Sequence, residues 1–128
     1  MQEVAARLAR ALRADAHLEH VASRVGERVR LIPVGDVTHI VARNRGTFAM
    51  AGGTEHMLDA SLTDLERRLD PSKFLRIHRA TLLNMAWVAE LHALMGGRLI
   101  VRLRGAYPGD LEVSRDRVRA LKARLGLP

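Results

Sequence analysis

The 128-residue sequence predicts a mostly β domain of the α+β class, with about eight strands, a helix in its middle, one at its end and one before it. Short segments rich in β-branched or apolar residues follow one another from residue 25 onward, separated by Pro and Gly. Strands do not alternate with helices, which disfavours a parallel α/β sheet. We therefore expect an N-terminal amphipathic linker helix over residues 1–24 and a single β domain over residues 25–128.

The N-terminal segment has helical spacing. Val4, Leu8 and Leu12 recur every four residues, while arginines recur every three. Packing on the β domain, contact with a second copy and contact with another domain all remain open. His17 and His20 are spaced like two metal ligands, but no third ligand is evident nearby, so neither a metal nor another cofactor is predicted.

The β domain divides into strands around one central helix. The predicted strand segments are GERVRLIP, DVTHIVAR, GTFAMA, TEHMLD, FLRIH, WVAELHAL, RLIVRLR and GDLEVS. In the central helix SLTDLERRLDP, Ser61 is the expected N-cap, with Asp64 three residues later and Pro71 as the stop. Ser114 is the expected N-cap of the last helix, which Gly126 closes.

Composition favours an anionic partner. Lys and Arg total 21 against 14 Asp and Glu, giving a net charge of +7. Ten basic and four acidic residues lie within residues 74–128, although chance clustering would produce the same asymmetry. The sequence has no cysteine, no apolar run of membrane-spanning length and no signal-type N-terminal block, so we expect a cytoplasmic protein without membrane association.

No pattern indicates catalysis. The histidines of the β domain lie on separate strands, and no serine is flanked by the glycines of a nucleophile elbow. The glycines of GTFAMAGG lack the Lys-Ser/Thr ending of a phosphate-binding loop. The sequence therefore predicts a protein that is not an enzyme.

The stretch FLRIHRATLLN combines buried-type residues with Arg76, His78 and Arg79. Because an unpaired buried charge costs several kcal/mol, these side chains must reach solvent, an acidic neighbour or a ligand. One possibility is projection from a sheet edge towards a partner. The other is an ion pair between Arg76 or Arg79 and Glu66 or Asp70 of the preceding helix.

Two further segments present arginines. In LEVSRDRVRALKARLG, Arg115 and Arg117 stand in the first turn of the predicted helix, where acidic residues are normally preferred. Free backbone N–H groups beside guanidinium groups suit a phosphate, and arginine also pairs with the O6/N7 edge of guanine. The loop ARNRGT adds Asn44, Arg45 and Thr47, with asparagine suited to adenine. Solvated side chains would look the same in either segment.

Together these residues resemble the LytTR DNA-binding domain, the output module of many bacterial response regulators in two-component systems and of some other transcription factors. RLIPVGDVTHIVARNRGTF is similar to the opening strands and first loop of that family. SLTDLERRLDPSKFLRIHRATLLN resembles its leucine-bearing helix followed by R-x-H-R and a terminal asparagine. LEVSRDRVRALKARL is similar to the closing V-S-R strand and helix, so the resemblance runs from residue 28 to residue 125.

The resemblance implies an elongated fold of ten strands in three sheets that inserts loops, not a recognition helix, into double-stranded DNA. The loop after R-x-H-R and the segment after V-S-R would enter successive major grooves, and the first loop would contact the region between them. The resemblance assigns Arg79 and either Arg115 or Arg117 as base readers, His78 and Arg76 as positioning residues, and residues 44–47 as a third contact region. It also implies two copies at paired direct repeats, with a receiver domain or sensor as a possible further partner.

Two departures from the family pattern affect this assignment. Val41 and Gly46-Thr47-Phe48 stand where the family often has glutamate and G-N-Y, and Ala80 replaces a frequent serine. The alternative function is a protein–protein module that docks an acidic regulatory partner through its basic face. Nonspecific RNA binding is less favoured, because two Phe, one Tyr and one Trp provide few stacking platforms.

Overall fold

A computed structural model describes residue 4, residues 17–105 and residues 109–128. Within these ranges it contains ten strands in three antiparallel sheets and two short α-helices. The strands are β1 (His20–Val25), β2 (Arg28–Pro33), β3 (Val37–Arg43), β4 (Gly46–Ala51), β5 (Thr54–Leu58), β6 (Phe74–His78), β7 (Thr81–Asn84), β8 (Val88–Ala93), β9 (Leu99–Leu103) and β10 (Asp110–Val113). The helices are α1 (Leu62–Arg68) and α2 (Val118–Arg124). The predicted mostly β class is confirmed.

Strand β1 lies inside the segment for which the sequence predicts a helix, and it corrects that prediction for residues 20–24. It pairs with β2 in a two-stranded sheet. Val21 and Ser23 are buried while their neighbours are exposed, which is the period of two of a half-buried strand. Residues 5–16, most of the predicted N-terminal helix, lie outside the described residues, and the division of the chain after residue 24 stays a prediction.

The largest sheet has five strands in the order β5-β4-β3-β7-β6. Its centre is β3, which pairs with β4 on one side and with β7 on the other. The sequence did not distinguish β7 as a strand of its own. Strands β6 and β7 form a hairpin at one edge of this sheet. The R-x-H-R segment, residues 76–79, therefore runs from the edge strand β6 into the turn that connects it to β7.

One face of this sheet builds a first core with α1 and the β1–β2 sheet. Helix α1 begins as predicted, since the Ser61 hydroxyl accepts a hydrogen bond from the Asp64 N–H at 3.1 Å. Its apolar residues Leu62 and Leu65, followed by Leu69, are buried in this core. The helix therefore lies across the sheet with its start beside the β3–β4 hairpin.

The opposite face, at β6 and β7, builds a second core with α2 and the three-stranded sheet β10-β9-β8. Phe74 and Leu82 face the first core, whereas Ile77 and Leu83 face the second. A slip of one residue would turn each of these side chains to the wrong core, so burial on both faces fixes the register of the β6–β7 hairpin. The position of the R-x-H-R segment is fixed with it.

The asparagine that ends the R-x-H-R pattern is a structural residue. Asn84 is buried, its amide donates to the Val37 carbonyl at 2.8 Å, and its side-chain oxygen accepts from the Ala86 N–H at 3.1 Å. Trp87 adds a second hydrogen bond to the same region, since its indole N–H donates to the Gly35 carbonyl at 2.9 Å.

In the described ranges no helix is long and apolar enough to cross a bilayer.

Candidate nucleic-acid interface

The β3–β4 hairpin presents an arginine in an unfavourable backbone conformation. Arg43 pairs with Gly46, which leaves Asn44 and Arg45 as a two-residue turn with φ of 49° and 65°. Such turns normally place glycine at the second position, and an arginine there costs roughly 1–2 kcal/mol. Both side chains are exposed, and none of the described residues forms a hydrogen bond or ion pair with the Arg45 guanidinium. We call Asn44 and Arg45 the hairpin tip. The fold therefore keeps a guanidinium without a partner among the described residues at this tip, although the positive φ there disfavours arginine.

Below the tip, Arg43 is held by contacts with residues of β4 and β5. Its guanidinium forms an ion pair with Glu55 and lies 4.9 Å from the centroid of the Phe48 ring. The ring lies against Gly46, where an added Cβ would come within 2.9 Å of it. The sequence Gly46-Thr47-Phe48, which departs from the family pattern, thus builds a support for Arg43. Arg43 is exposed but paired, and Arg45 carries the charge that has no partner among the described residues.

Arg76 fastens the R-x-H-R segment. Its Nε donates to the His78 carbonyl at 3.2 Å, one terminal nitrogen donates to the Arg79 carbonyl, and the other pairs with Glu66 at 2.9 Å. Its side chain is only 14% exposed. Of the alternatives that the sequence left open, the ion pair with Glu66 is the one observed. Arg76 therefore braces the turn that carries its neighbours.

His78 and Arg79 have different environments on that turn. His78 is half-buried, and its Nδ1 accepts a hydrogen bond from the Ala80 N–H at 3.1 Å, which closes the turn. Arg79 is exposed, and within the described part of the chain its guanidinium has no hydrogen-bond or ion-pair partner. Its carbonyl, by contrast, is held by Arg76. The segment thus consists of two bracing side chains and one guanidinium directed at solvent.

The segment after V-S-R corrects one prediction. Ser114 makes no side-chain cap, and a 3₁₀ turn, Arg115–Arg117, precedes the α-helix, which starts only at Val118. The arginines thus stand before α2 and not in its first turn. The Ser114 N–H donates to the Ile77 carbonyl at 2.8 Å, so the backbone donor at this position is used by strand β6.

The two arginines of the 3₁₀ turn also differ. Arg117 is half-exposed and lies 3.8 Å from the carboxylate of Asp116. Arg115 is exposed and has no hydrogen-bond or ion-pair partner among the described residues. One of its terminal nitrogens lies 3.8 Å from the point where a Cβ on Gly96 would stand, so the guanidinium rests on the β8–β9 turn. No local pattern in the sequence indicates that contact.

A cleft joins the hairpin tip to the R-x-H-R segment. It has a volume of about 430 Å³, and its lining includes Arg45, Arg79, Thr47, Ser61 and Thr63. Thr47, predicted as a contact, is a residue of β4 that is only 8% exposed, so it lines the cleft wall and does not project from it. Two free guanidinium groups beside hydroxyl groups give the cleft the chemistry of an anion site. We call it the arginine cleft.

Arg115 lies outside the arginine cleft but close to it. The hydrogen bond between Ser114 and Ile77 places the 3₁₀ turn beside β6, two residues before Arg79. Since consecutive Cα atoms are about 3.8 Å apart, the Cα atoms of Arg79 and Arg115 are separated by no more than roughly 18 Å. Arg45, Arg79 and Arg115 thus come from distant parts of the chain to neighbouring positions.

His39, Asp70 and Arg102 have shifted pKa values. Burial lowers the pKa of His39 to about 4. Hydrogen bonds from the Ser72 hydroxyl and N–H lower the pKa of Asp70, and a hydrogen bond to Asp110 raises the pKa of Arg102. Among the described residues, no cluster of His, Asp and Glu side chains could hold a metal ion.

Comparison with known proteins identifies the family. The model of the LytTr DNA-binding domain matches residues 27–126. The chain is 30% identical over 112 residues to the CO-responsive transcriptional regulator RcoM of Rhodospirillum rubrum, covering 87% of this chain and 47% of that protein. It is 25% identical over 96 residues to the transcriptional regulatory protein YpdB of Escherichia coli K12, covering 75% of this chain and 39% of that protein. The chain thus spans less than half the length of these relatives.

A solved structure agrees with the family match. A LytTr DNA-binding domain from Bacillus cereus superposes with a TM-score of 0.77 at 17% sequence identity, covering 86% of this chain and 99% of that one. At this identity the likeness concerns the fold alone. The family match over residues 27–126 also agrees with the prediction of a protein that is not an enzyme. This chain belongs to the LytTr DNA-binding domain family.

Proposed function

We propose that this chain is a sequence-specific double-stranded DNA-binding transcription regulator that acts in the cytoplasm. The observation that carries the proposal is the convergence of three guanidinium groups, those of Arg45, Arg79 and Arg115, that lack partners among the described residues. In a DNA-binding family such groups are the natural contacts for phosphates and for guanine edges. Arg76 and His78 are positioning residues, and the Arg117 guanidinium forms an ion pair with Asp116.

The geometry suggests an order of contacts along the duplex. Arg45 and Arg79 line one cleft, and the Cα atoms of Arg79 and Arg115 are within roughly 18 Å of each other. We propose that Arg79 lies between the other two along the duplex. Successive major grooves on one face are a helical turn apart, about 34–36 Å. We therefore assign the outer contacts to the hairpin tip and Arg115, with Arg79 contacting the region between them. This revises the order that the family resemblance implies.

Regulation involves further partners. The relatives are more than twice as long as the matched segment, so we propose that a sensory or receiver unit controls DNA binding in the complete system. We also propose two copies at paired direct repeats, since one chain of this size covers a short site. A receiver domain, a sensor and a second copy remain the candidate protein partners.

Selection from a random duplex pool tests the proposal. The wild-type chain should enrich a short repeated motif at both low and moderate salt, because base contacts retain their preference when phosphate contacts weaken. Salt-sensitive binding without enrichment would refute sequence-specific recognition and support docking of a generic acidic partner. Titration of the selected duplex with the protein should give a binding stoichiometry of two chains per repeated site.

Alanine variants test the assigned contacts. Arg79→Ala and Arg115→Ala should each weaken binding to the selected site by about 5- to 150-fold and relax the preference at one position. Arg28→Ala is the matched control, since Arg28 is exposed on β2 and its loss lowers the charge equally. In the proposed order, the position relaxed by Arg79→Ala lies between those that Arg45→Ala and Arg115→Ala affect. Equal losses for all variants, control included, would refute the assignment.

A further inference from the structure

The β8–β9 turn exposes a large apolar side chain beside one of the proposed DNA contacts. Met95 is 93% exposed and Leu94 is 41% exposed. The turn is closed, because the Leu94 N–H donates to the Arg98 carbonyl at 2.8 Å. Its next residues, Gly96 and Gly97, have φ of 78° and 76°, which favours glycine. The loop therefore holds Met95 at its tip without burying it.

Arg115 lies against this same turn. Its terminal nitrogen is 3.8 Å from the Cβ position of Gly96, the residue after Met95. A side chain at Gly96 would stand beside the guanidinium and would be strained by the positive φ. The backbone of the turn at Gly96 therefore lies close to Arg115, and Met95 is the residue immediately before Gly96. An exposed methionine at this place suits a partner with an apolar surface.

Double-stranded DNA offers one such surface in the major groove. When arginine pairs with a guanine edge, a side chain beside the guanidinium meets the edge of the next base pair, about 3.4 Å along the strand. Of the groups that base pairs present there, only the 5-methyl group of thymine is apolar. A methionine, flexible and unbranched, adapts to that contact better than a branched side chain would.

We propose that Met95 contacts the methyl group of a thymine in the base pair next to the one that Arg115 reads. This inference rests on the proposed function, because it needs Arg115 to lie in the major groove. It makes Met95 a residue that determines specificity, and it gives the β8–β9 turn a place in the interface that the sequence did not indicate.

Replacement of thymine by uracil tests the contact, since uracil removes only the methyl group and keeps the base pair. Each thymine of the selected site is replaced in turn, and the affinity of the wild-type chain and of Met95→Ala is measured for each duplex. For wild type, one replacement next to the position relaxed by Arg115→Ala should weaken binding about fourfold, the factor expected for one methyl group. For Met95→Ala the same replacement should have no effect. Met57→Ala, which truncates another exposed methionine, should retain the wild-type response.

The outcomes separate this inference from the proposed function. If uracil weakens wild type and Met95→Ala equally, or weakens neither, the contact is refuted while the proposed function stands. A selected site without thymine next to the Arg115 position also refutes it. If the wild-type chain selects no motif at all, the proposed function fails and this inference fails with it. Because Met95 is almost fully exposed, its truncation leaves the fold intact in every case.

Discussion

Replacing Arg76 with alanine should destabilise the domain and weaken DNA binding without removing a phosphate contact. The wild-type guanidinium donates to the carbonyls of His78 and Arg79, and each of these hydrogen bonds contributes roughly 1–2 kcal/mol. The ion pair with Glu66 adds less than about 1 kcal/mol, since Glu66 is 41% exposed. The free energy of unfolding should therefore fall by about 2–4 kcal/mol, and the urea midpoint by about 1–2 M.

Urea denaturation and salt-dependent DNA binding together check this reasoning. Arg76→Ala should bind the selected DNA more weakly, because the turn carrying Arg79 loses two of its ties, but its salt slope should equal that of wild type. Glu66→Gln is the matched control and should change stability by less than about 1 kcal/mol. A salt slope smaller by about one would mean that Arg76 itself contacts a phosphate, and this would refute its assignment as a positioning residue.

Three further substitutions test other features. Burial lowers the pKa of His39 to about 4 from 6.5, so the folded state binds its proton less readily than the unfolded state. The contribution of His39 to the free energy of unfolding should be lost as the pH falls through 6.5, by about 3 kcal/mol at pH 4, and His39→Asn should lose this part of the slope in denaturation across pH. Arg45→Gly should raise the free energy of unfolding by about 0.5–1 kcal/mol, because glycine suits the positive φ, while weakening DNA binding; a variant neither more stable nor weaker in binding would contradict this. Gly46→Ala should destabilise by about 1 kcal/mol, because a Cβ would meet the Phe48 ring at 2.9 Å, whereas Gly35→Ala, with no atom near its Cβ position, is the control in the same thermal-unfolding assay.

The local patterns predicted most of the secondary structure. The helix after Ser61 has the expected cap, because a hydroxyl and a backbone N–H three residues later need only local geometry. Two strands were missed. The predicted N-terminal helix covers β1, whose sequence has no clear apolar–polar alternation, since Ala22 is apolar and Ser23 is polar. Strand β7 follows β6 so closely that its separate identity depends on pairing with β3. Pairing between strands distant in the chain is a property of the sheet and not of either segment.

The candidate site was predicted in part. The sequence indicates the segment that carries Arg79, because charged residues among buried-type ones must reach solvent, an acidic neighbour or a ligand. It indicates the segment that carries Arg115, because arginines at the start of a predicted helix suit an anion. It left the role of Arg76 open, since the choice between Glu66 and a ligand depends on where α1 packs. It also placed Ser114 as a helix cap, whereas the Ser114 N–H is used by strand β6 and a 3₁₀ turn intervenes. The contact of Arg115 with the β8–β9 turn joins residues about twenty positions apart and has no local signature.

Arg79 and Arg115 are carried by different sheets, and the second core lies between those sheets. The distance between the two guanidinium groups therefore depends on the packing of this core, which includes Leu83, Val113 and Leu121, as well as on the hydrogen bond between Ser114 and Ile77. An aliphatic substitution there would move one arginine relative to the other by a fraction of an ångström. Related regulators whose DNA sites differ in spacing should therefore differ in the buried aliphatic residues of this core as well as in surface residues.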